Sequence, residues 1–293
     1  MHHIEAKAYA KINLYLDIVS KLNNGFHEIE SVMQTVSLAD EIIIDVEEND
    51  SIAVDVSCDS AYAPNGKYNI VYRAAELYLE RAKIKARVNV EVTKNIPSPA
   101  GMGGGSSDAA AVLRGLNEIY RAFSISELEE LASELGSDVP FCVRGGTQIS
   151  RGRGEKLFAC KEMPNCFLVV ACGGEGISTP LAYKMLDERF DDFKSVRSTD
   201  DKLTRFENDL SDLRQMCLGL YNIFESVTAE HCTTMQILKN DLLDHGALGA
   251  LMCGSGPAVF GVFDDTQTAS QAVNSIKENG SFAALCTPIK KLI

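Results

Sequence analysis

A chain of 293 residues with 45% hydrophobic and 24% charged side chains is long enough for two domains, each able to bury a core. Its formal net charge of −13 argues against a broad nucleic-acid-binding surface, and no apolar run approaches the ~20 residues needed to cross a bilayer. The nine cysteines include no Cys-x-x-Cys pair and fall mostly in apolar runs such as FLVVACGG, which favours reduced, buried thiols. With no cleavable leader pattern at the start, the expected compartment is the cytoplasm.

In chain order, His2 and His3 read as a frayed end. Period-two alternation then predicts strands at 10–19, 41–48 and 51–58. Between the first two, NNGFHEIESVMQ (23–34) reads as a loop, with His27 as a surface or capping histidine. Helical spacing of Val71, Ala74, Ala75, Tyr78 and Leu79 predicts a helix over 69–82. A strand follows at 86–96, ended by Pro97 and Pro99. The basic residues Arg81, Lys83, Lys85, Arg87 and Lys94 read as a solvated helix end and strand face. A helix is predicted from Ser106 to Tyr120. Another is opened by Ser126 and Glu129 as a capping box and terminated at Gly136.

A turn-rich stretch (136–157) leads to a new strand at 166–174. Further helices, a strand pair at 249–263, a helix at 266–279 and a terminal strand at 284–293 complete the chain. The acidic stretch 187–202 reads as a surface loop and helix edge. Without regular strand–helix alternation the class is α+β, with domains 1–158 and 159–293.

The stretch PSPAGMGGGSSDAAAVL holds four glycines and two serines between Gly101 and Ser107. It has no lysine where a Walker loop needs one, serine where a dinucleotide fingerprint needs its last glycine, and no G-x-S-x-G elbow. What fits is a strand–loop–helix cradle whose helix-start N–H groups converge on phosphate, with Ser106 and Ser107 adding hydroxyls. Its charge must come from elsewhere in the chain. Lys11, within an apolar strand, needs a partner, and Asp138 in GSDVPF would supply one; taken singly, the lysine reads as snorkelling at a strand edge and the aspartate as an N-cap. CGSGPAVFGVF reads as a tight turn before a buried strand.

Together these residues resemble the GHMP kinases, a superfamily that includes galactokinase, homoserine kinase and mevalonate kinase. AKINLYLDI, the glycine–serine loop with its helix, and GSGPAVFGVF match its three motifs. The ordered set AKINLYLDI, NGFHEIESVMQ, NIVYRAAELY, AGMGGGSSDAAAVLRGLN and GSDVPFCVRGGTQISRGRGE is most similar to the branch that phosphorylates a cytidine diphosphate derivative of methylerythritol. It covers 1–155; beyond that the likeness rests on STPLAY, FENDL and CGSGPAV.

The resemblance implies a two-domain fold, with an N-terminal half like domain 2 of ribosomal protein S5 and a ferredoxin-like C-terminal half. It also implies ATP and Mg²⁺ as cofactors, and a monomer or weak homodimer with no membrane or nucleic-acid partner. By position, Asp138 is the implied base and Lys11 its electrostatic partner. Pro99, Ala100, Gly101, Met102, Gly103, Gly104, Gly105, Ser106 and Ser107 form the triphosphate loop, with Ser107 a Mg²⁺ ligand. Asn69 and Lys94 line the adenosine site; Asn13, Phe26, His27 and Thr179 serve the acceptor. Phe26 stands where the family commonly has tyrosine, which keeps a stacking face but loses a hydroxyl. Met102 replaces the usual leucine at nearly constant volume.

Two alternatives stay open: a homoserine- or mevalonate-type kinase, which would have no base to stack, and a non-catalytic nucleotide-binding or ribosome-like module. The negative charge and the Lys11–Asp138 pairing speak against the second.

Overall fold

The computed structural model describes residues 1–190 and 202–293, so most of the acidic stretch lies outside the described residues. Its first element pair is longer than alternation predicts. Strand β1 (His2–Lys21) and strand β2 (His27–Glu48) form one antiparallel hairpin. His2 and His3 are not frayed: they pair with Val46 and Asp45, and the His3 ring bonds Asp45 at 2.7 Å. Most of the expected 23–34 loop is likewise strand; the chain turns only across Leu22–Phe26, where Leu22 N–H donates to Phe26 O at 2.7 Å. Within β1 the expected 10–19 segment is buried on both faces from Ala10 to Ile18, whereas the added start alternates, Ile4, Ala6 and Ala8 being more buried than Glu5 and Lys7.

Strand β3 (Ala53–Cys58) runs parallel to β4 (Ala86–Thr93), joined through helix α1 (Ile70–Ala82), whose five expected apolar residues are all buried. Asn69 caps α1: its side-chain oxygen accepts from Val71 N–H at 2.9 Å while its amide donates to Pro64 O at 2.8 Å. Helix α2 (Gly104–Tyr120) starts two residues before the expected Ser106, with Gly103 rather than serine at its N-cap. Helix α3 (Ile125–Ser133) opens with a capping box of Ser124 and Glu127, not Ser126 and Glu129. Starting at Ile125 turns Leu128, Leu131 and Ala132 inward, and it frees Glu129 to bond the Arg144 guanidinium at 2.9 Å. Helix α4 (Val139–Arg144) follows, then β5 (Thr147–Gly152) and β6 (Lys156–Ala159).

The C-terminal half contains β7 (Phe167–Cys172), α5 (Thr179–Arg189), α6 (Lys202–Asp209), α7 (Leu213–Leu218), β8 (Tyr221–Asn222), α8 (Glu225–Thr228) and α9 (Thr233–Asp244). It finishes with β9 (Gly249–Met252), β10 (Val259–Phe263), α10 (Thr266–Glu278) and β11 (Phe282–Cys286). Its four-stranded antiparallel sheet has the order β11-β7-β10-β9, a ferredoxin-like arrangement.

The expected boundary at 158/159 falls at the end of β6, yet the second half returns to the first sheet twice. β8 pairs parallel to β1, and the expected terminal strand stops at Cys286, so that the tail crosses over instead. There Ile289 N–H donates to Thr35 O at 2.8 Å, and Leu292 packs where Gly145 leaves room. One apolar cluster joins the halves: Ile12, Leu14, Ile96 and Met102 pack with Leu168, Val170 and Phe260. That cluster fixes the glycine loop from behind. All nine cysteines are free thiols, and no helix among the described residues is long and apolar enough to cross a membrane.

Candidate active site

The glycine loop lies between β4 and α2, and most of its bareness is steric. A Cβ on Gly101, at φ +73°, would come 2.1 Å from the carbonyl oxygen of Cys253, so this loop and the CGSGP turn touch backbone to backbone. A Cβ on Gly103 would lie 3.0 Å from the Lys11 stem, and one on Gly104 would lie 3.3 Å from Lys94 Nζ. Gly105 differs: it is exposed, and its Cβ would make only an ordinary 3.7 Å contact with Ile70. The N–H groups of Gly104, Gly105 and Ser106 have no helical carbonyl to reach, and the glycine N-cap offers no side chain to occupy them. Ala100 and Met102 are buried behind the loop, and Pro99 is exposed. Ser106 is half-buried; Ser107 is buried, its hydroxyl donating to Gly104 O at 2.8 Å.

Lys94 does not lie on a solvated strand face. Its ammonium is buried between Asp40, with which it pairs closely, and Asp108 at 2.6 Å. Asp40 also accepts from the backbone N–H groups of Asn95 (2.5 Å) and Ile96 (2.7 Å). Burial lowers the Lys94 pKa, but the two carboxylates outweigh it and hold the ammonium charged. With two carboxylates sharing one cation, burial and the Asp40 charge push Asp108 up to about 7 despite Lys94. Asp108 Oδ1 has no hydrogen-bond partner.

Lys11 does not snorkel to solvent from a strand edge: it pairs with Thr35 of β2, and its side chain is only 6% exposed. Its Nζ sits 3.4 Å from Asp138 Oδ2 and donates to Asn13 Oδ1 at 2.8 Å. The Asn13 amide donates to Ser31 Oγ at 2.8 Å, which in turn donates to Tyr15 O at 2.6 Å. Asn13 therefore lies under Lys11, outside the wall of the adjoining cavity. Lys11 N–H also donates to Met102 O at 3.0 Å, tying the ammonium-bearing strand to the glycine loop. Asp138 occupies the N-cap position of α4, but its side chain accepts no capping bond; it remains about one-third exposed and faces the cavity.

That cavity, about 570 Å³, is walled by Phe26, His27, Asp138, Arg153, Thr179 and Tyr183, with Asp187. A depression of similar size, about 590 Å³ near Arg114 and Leu292, shares no lining residue with it and holds neither member of the Lys11–Asp138 pair. Phe26 is half exposed, with the Arg153 guanidinium 5.2 Å from its ring centre. His27, expected at the surface, is buried: it stacks on Tyr183 at 4.7 Å and bonds Asp187 at 2.7 Å. Burial would raise the Asp187 pKa, but bonds from Lys21 and His27 hold it below the usual carboxylate range. Burial first, then the Asp138 charge, pushes Tyr183 up to about 12. Thr179 Oγ1 meets Ser255 Oγ at 2.8 Å, so the CGSGP turn also braces this wall.

Thus Lys11, Asp138 and the loop are contiguous, as are Phe26, His27 and Thr179, whereas Asn69 spends both ends of its amide on a cap and a turn. Sequence reasoning missed Asp40, Asp108, Arg153, Tyr183 and Asp187. Only Tyr183 and Asp187 carried a local signal, the i, i+4 spacing in YKMLD.

The family model described as GHMP kinases N terminal domain matches residues 69–146, and the one described as GHMP kinases C terminal matches 202–281. A protein named 4-diphosphocytidyl-2-C-methyl-D-erythritol kinase from Acetivibrio thermocellus is 38% identical over 281 residues, covering 95% of this chain and 96% of that protein. One of the same name from Caldicellulosiruptor saccharolyticus is 42% identical over 272 residues, covering 92% of each. A crystal structure of 4-(cytidine 5′-diphospho)-2C-methyl-D-erythritol kinase superposes with a TM-score of 0.81 at 32% identity, covering 97% of this chain and 99% of that one. With an open phosphate-type loop beside a Lys–Asp pair and matches across both halves, the chain belongs to the GHMP kinases and is an ATP-dependent small-molecule kinase.

Proposed function

We propose that the chain transfers the γ-phosphoryl group of ATP to the 2-hydroxyl of 4-diphosphocytidyl-2-C-methyl-D-erythritol. The observation that carries this reading is the placement of the Lys11–Asp138 pair between two different surfaces. On one side lies the loop with its open first-turn N–H groups; on the other lies the cavity with an exposed ring, a histidine and an arginine. The relatives named for that substrate, at 38–42% identity over nearly the whole chain, support the same acceptor.

In this reading the N–H groups of Gly104, Gly105 and Ser106 bind phosphate oxygens at the positive end of α2. Asp138 accepts the proton of the acceptor hydroxyl, and Lys11 beside it offsets charge that develops on the transferring group. Phosphoryl transfer asks little covalent chemistry of a protein, so holding donor and acceptor in line on either side of this pair provides most of the acceleration. Phe26 stacks the cytosine, with His27 and Thr179 beside it and Arg153 available to the diphosphate.

Ser107 fits a Mg²⁺ ligand, because its hydroxyl proton points to Gly104 O and leaves oxygen lone pairs for a hard cation. No cluster of three or more His, Cys, Asp or Glu that could hold a metal occurs among the described residues, so the phosphates would supply most of the ligands. When bound, the ion would neutralise phosphate charge. The test is ATP turnover with the cytidyl acceptor, homoserine or mevalonate in parallel. The reading expects turnover with the first alone; turnover with either of the others instead would overturn it.

A further inference from the structure

We infer that Asp187 is a positioning residue of the acceptor pocket, fastening His27 and the tip of the β1–β2 hairpin to α5. The inference rests on the proposed function and adds how the acceptor wall is held. Helix α5 sends two side chains, one turn apart, to the same ring: Tyr183 stacks on the face of His27 and Asp187 binds its Nε2 at 2.7 Å. An ionised carboxylate only accepts, so the contact places the proton on Nε2 and fixes which tautomer of the neutral ring is present.

The same carboxylate binds Lys21 Nζ at 2.5 Å. Lys21 and His27 face each other across the hairpin, at the root of the turn that carries Phe26. One side chain therefore grips both strands there. Because α5 belongs to the C-terminal half and the hairpin to the first sheet, the grip spans the cleft. The histidine end is sheltered, at 5% side-chain exposure, whereas Lys21 is 51% exposed, so the contact with His27 is the stronger half. Arg153 lies over Phe26 but cannot set the angle of the turn, which follows from its root.

The experiment pairs ¹⁵N-histidine NMR in mildly alkaline buffer with steady-state kinetics on Asp187→Ala and Asp187→Asn. The unaltered protein should show His27 protonated on Nε2, and Asp187→Ala should show mixed tautomers. The acceptor KM of Asp187→Ala should rise roughly tenfold or more, the worth of a hydrogen bond to a charged group, with kcat and the ATP KM little changed. Asp187→Asn, whose amide oxygen can still accept from Nε2 but offers Lys21 no charge, should fall between. An unchanged His27 nitrogen spectrum or an unchanged acceptor KM in Asp187→Ala overturns the role. If the unaltered protein turns over no cytidyl acceptor, the proposed function fails instead. The spectrum then decides alone, with retention of the Nε2 signature refuting the positioning role and its loss upholding it.

Discussion

The two sides of the cleft use ion pairs in opposite ways. Beneath the glycine loop, Asp40, Lys94 and Asp108 are buried together within the first half of the chain, and Asp40 is fully enclosed. Across the cleft, Lys21, His27 and Asp187 come from both halves, with His27 sheltered, Asp187 partly exposed and Lys21 half exposed. The ion cluster of the donor side is thus formed within one half, although the loop above it also rests on the CGSGP turn of the other half. That loop presents backbone N–H groups that no side chain needs to place. The acceptor side is assembled only when α5 and the hairpin meet. A buried cluster punishes loss of its cation with loss of structure, whereas a half-exposed one should alter binding first.

Lys94→Met tests the buried side most severely. It leaves two enclosed carboxylates without a cation and should cost about 3–5 kcal/mol of stability, read from denaturant unfolding. A loss below ~1 kcal/mol would mean that the carboxylates find other partners. Gly101→Ala should also destabilise, because its Cβ overlaps the Cys253 carbonyl at a positive φ, while Gly105→Ala should leave stability unchanged. A weakened ATP KM in Gly105→Ala with a normal melting temperature would mark that position as bare for the ligand's sake. On the exposed side, Phe26→Ala should raise the acceptor KM by the equivalent of roughly 1–3 kcal/mol and spare the ATP KM. An equal rise in both would place Phe26 away from the base.

The smallest expected effect is a pH dependence. The Asp108 pKa in the folded chain is raised to about 7 from 3.8, so the fold binds more protons than the unfolded chain between those values. Its contribution to stability is full below about pH 4, is lost as pH rises through about 7, and is flat above. Melting temperature measured from pH 5 to 8 should therefore show a decline that Asp108→Asn removes. A decline of equal size in that variant would assign it to other groups.

How much could be read from residue order follows the same division. The apolar stripe of α1 and the strand cores followed from periodicity, because a single buried face leaves a single period. The first part of β2 escapes a period-two reading because Ser31 to Val36 is covered on both faces, and alternation vanishes when nothing faces water. The start of β1 does alternate, with Ile4, Ala6 and Ala8 more buried than Glu5 and Lys7, and its pairing with the far end of β2 is what extends the strand to His2. The expected capping box lies two residues late because SISELEEL offers two S-x-x-E registers, Ser124–Glu127 and Ser126–Glu129, and only the burial of Leu128 and Leu131 selects the first. A lysine in an apolar strand invited a carboxylate, and the contact with Asp138 is present at 3.4 Å. No such hint marked Lys94: its partners Asp40 and Asp108 are 54 and 14 residues away, and an exposed basic run was the simpler reading. His27 looked like a loop residue because its burial comes from Tyr183 and Asp187 on a helix from the other half.

The central claim is that Asp138, held beside Lys11, takes the acceptor's proton. Its most direct test is pre-steady-state and steady-state turnover of Asp138→Asn, an isosteric change that removes the base while leaving the loop and cavity in place. The account predicts a fall in kcat of at least ~100-fold, the low end of acid–base contributions, with the ATP KM little changed. Turnover near that of the unaltered protein would contradict it.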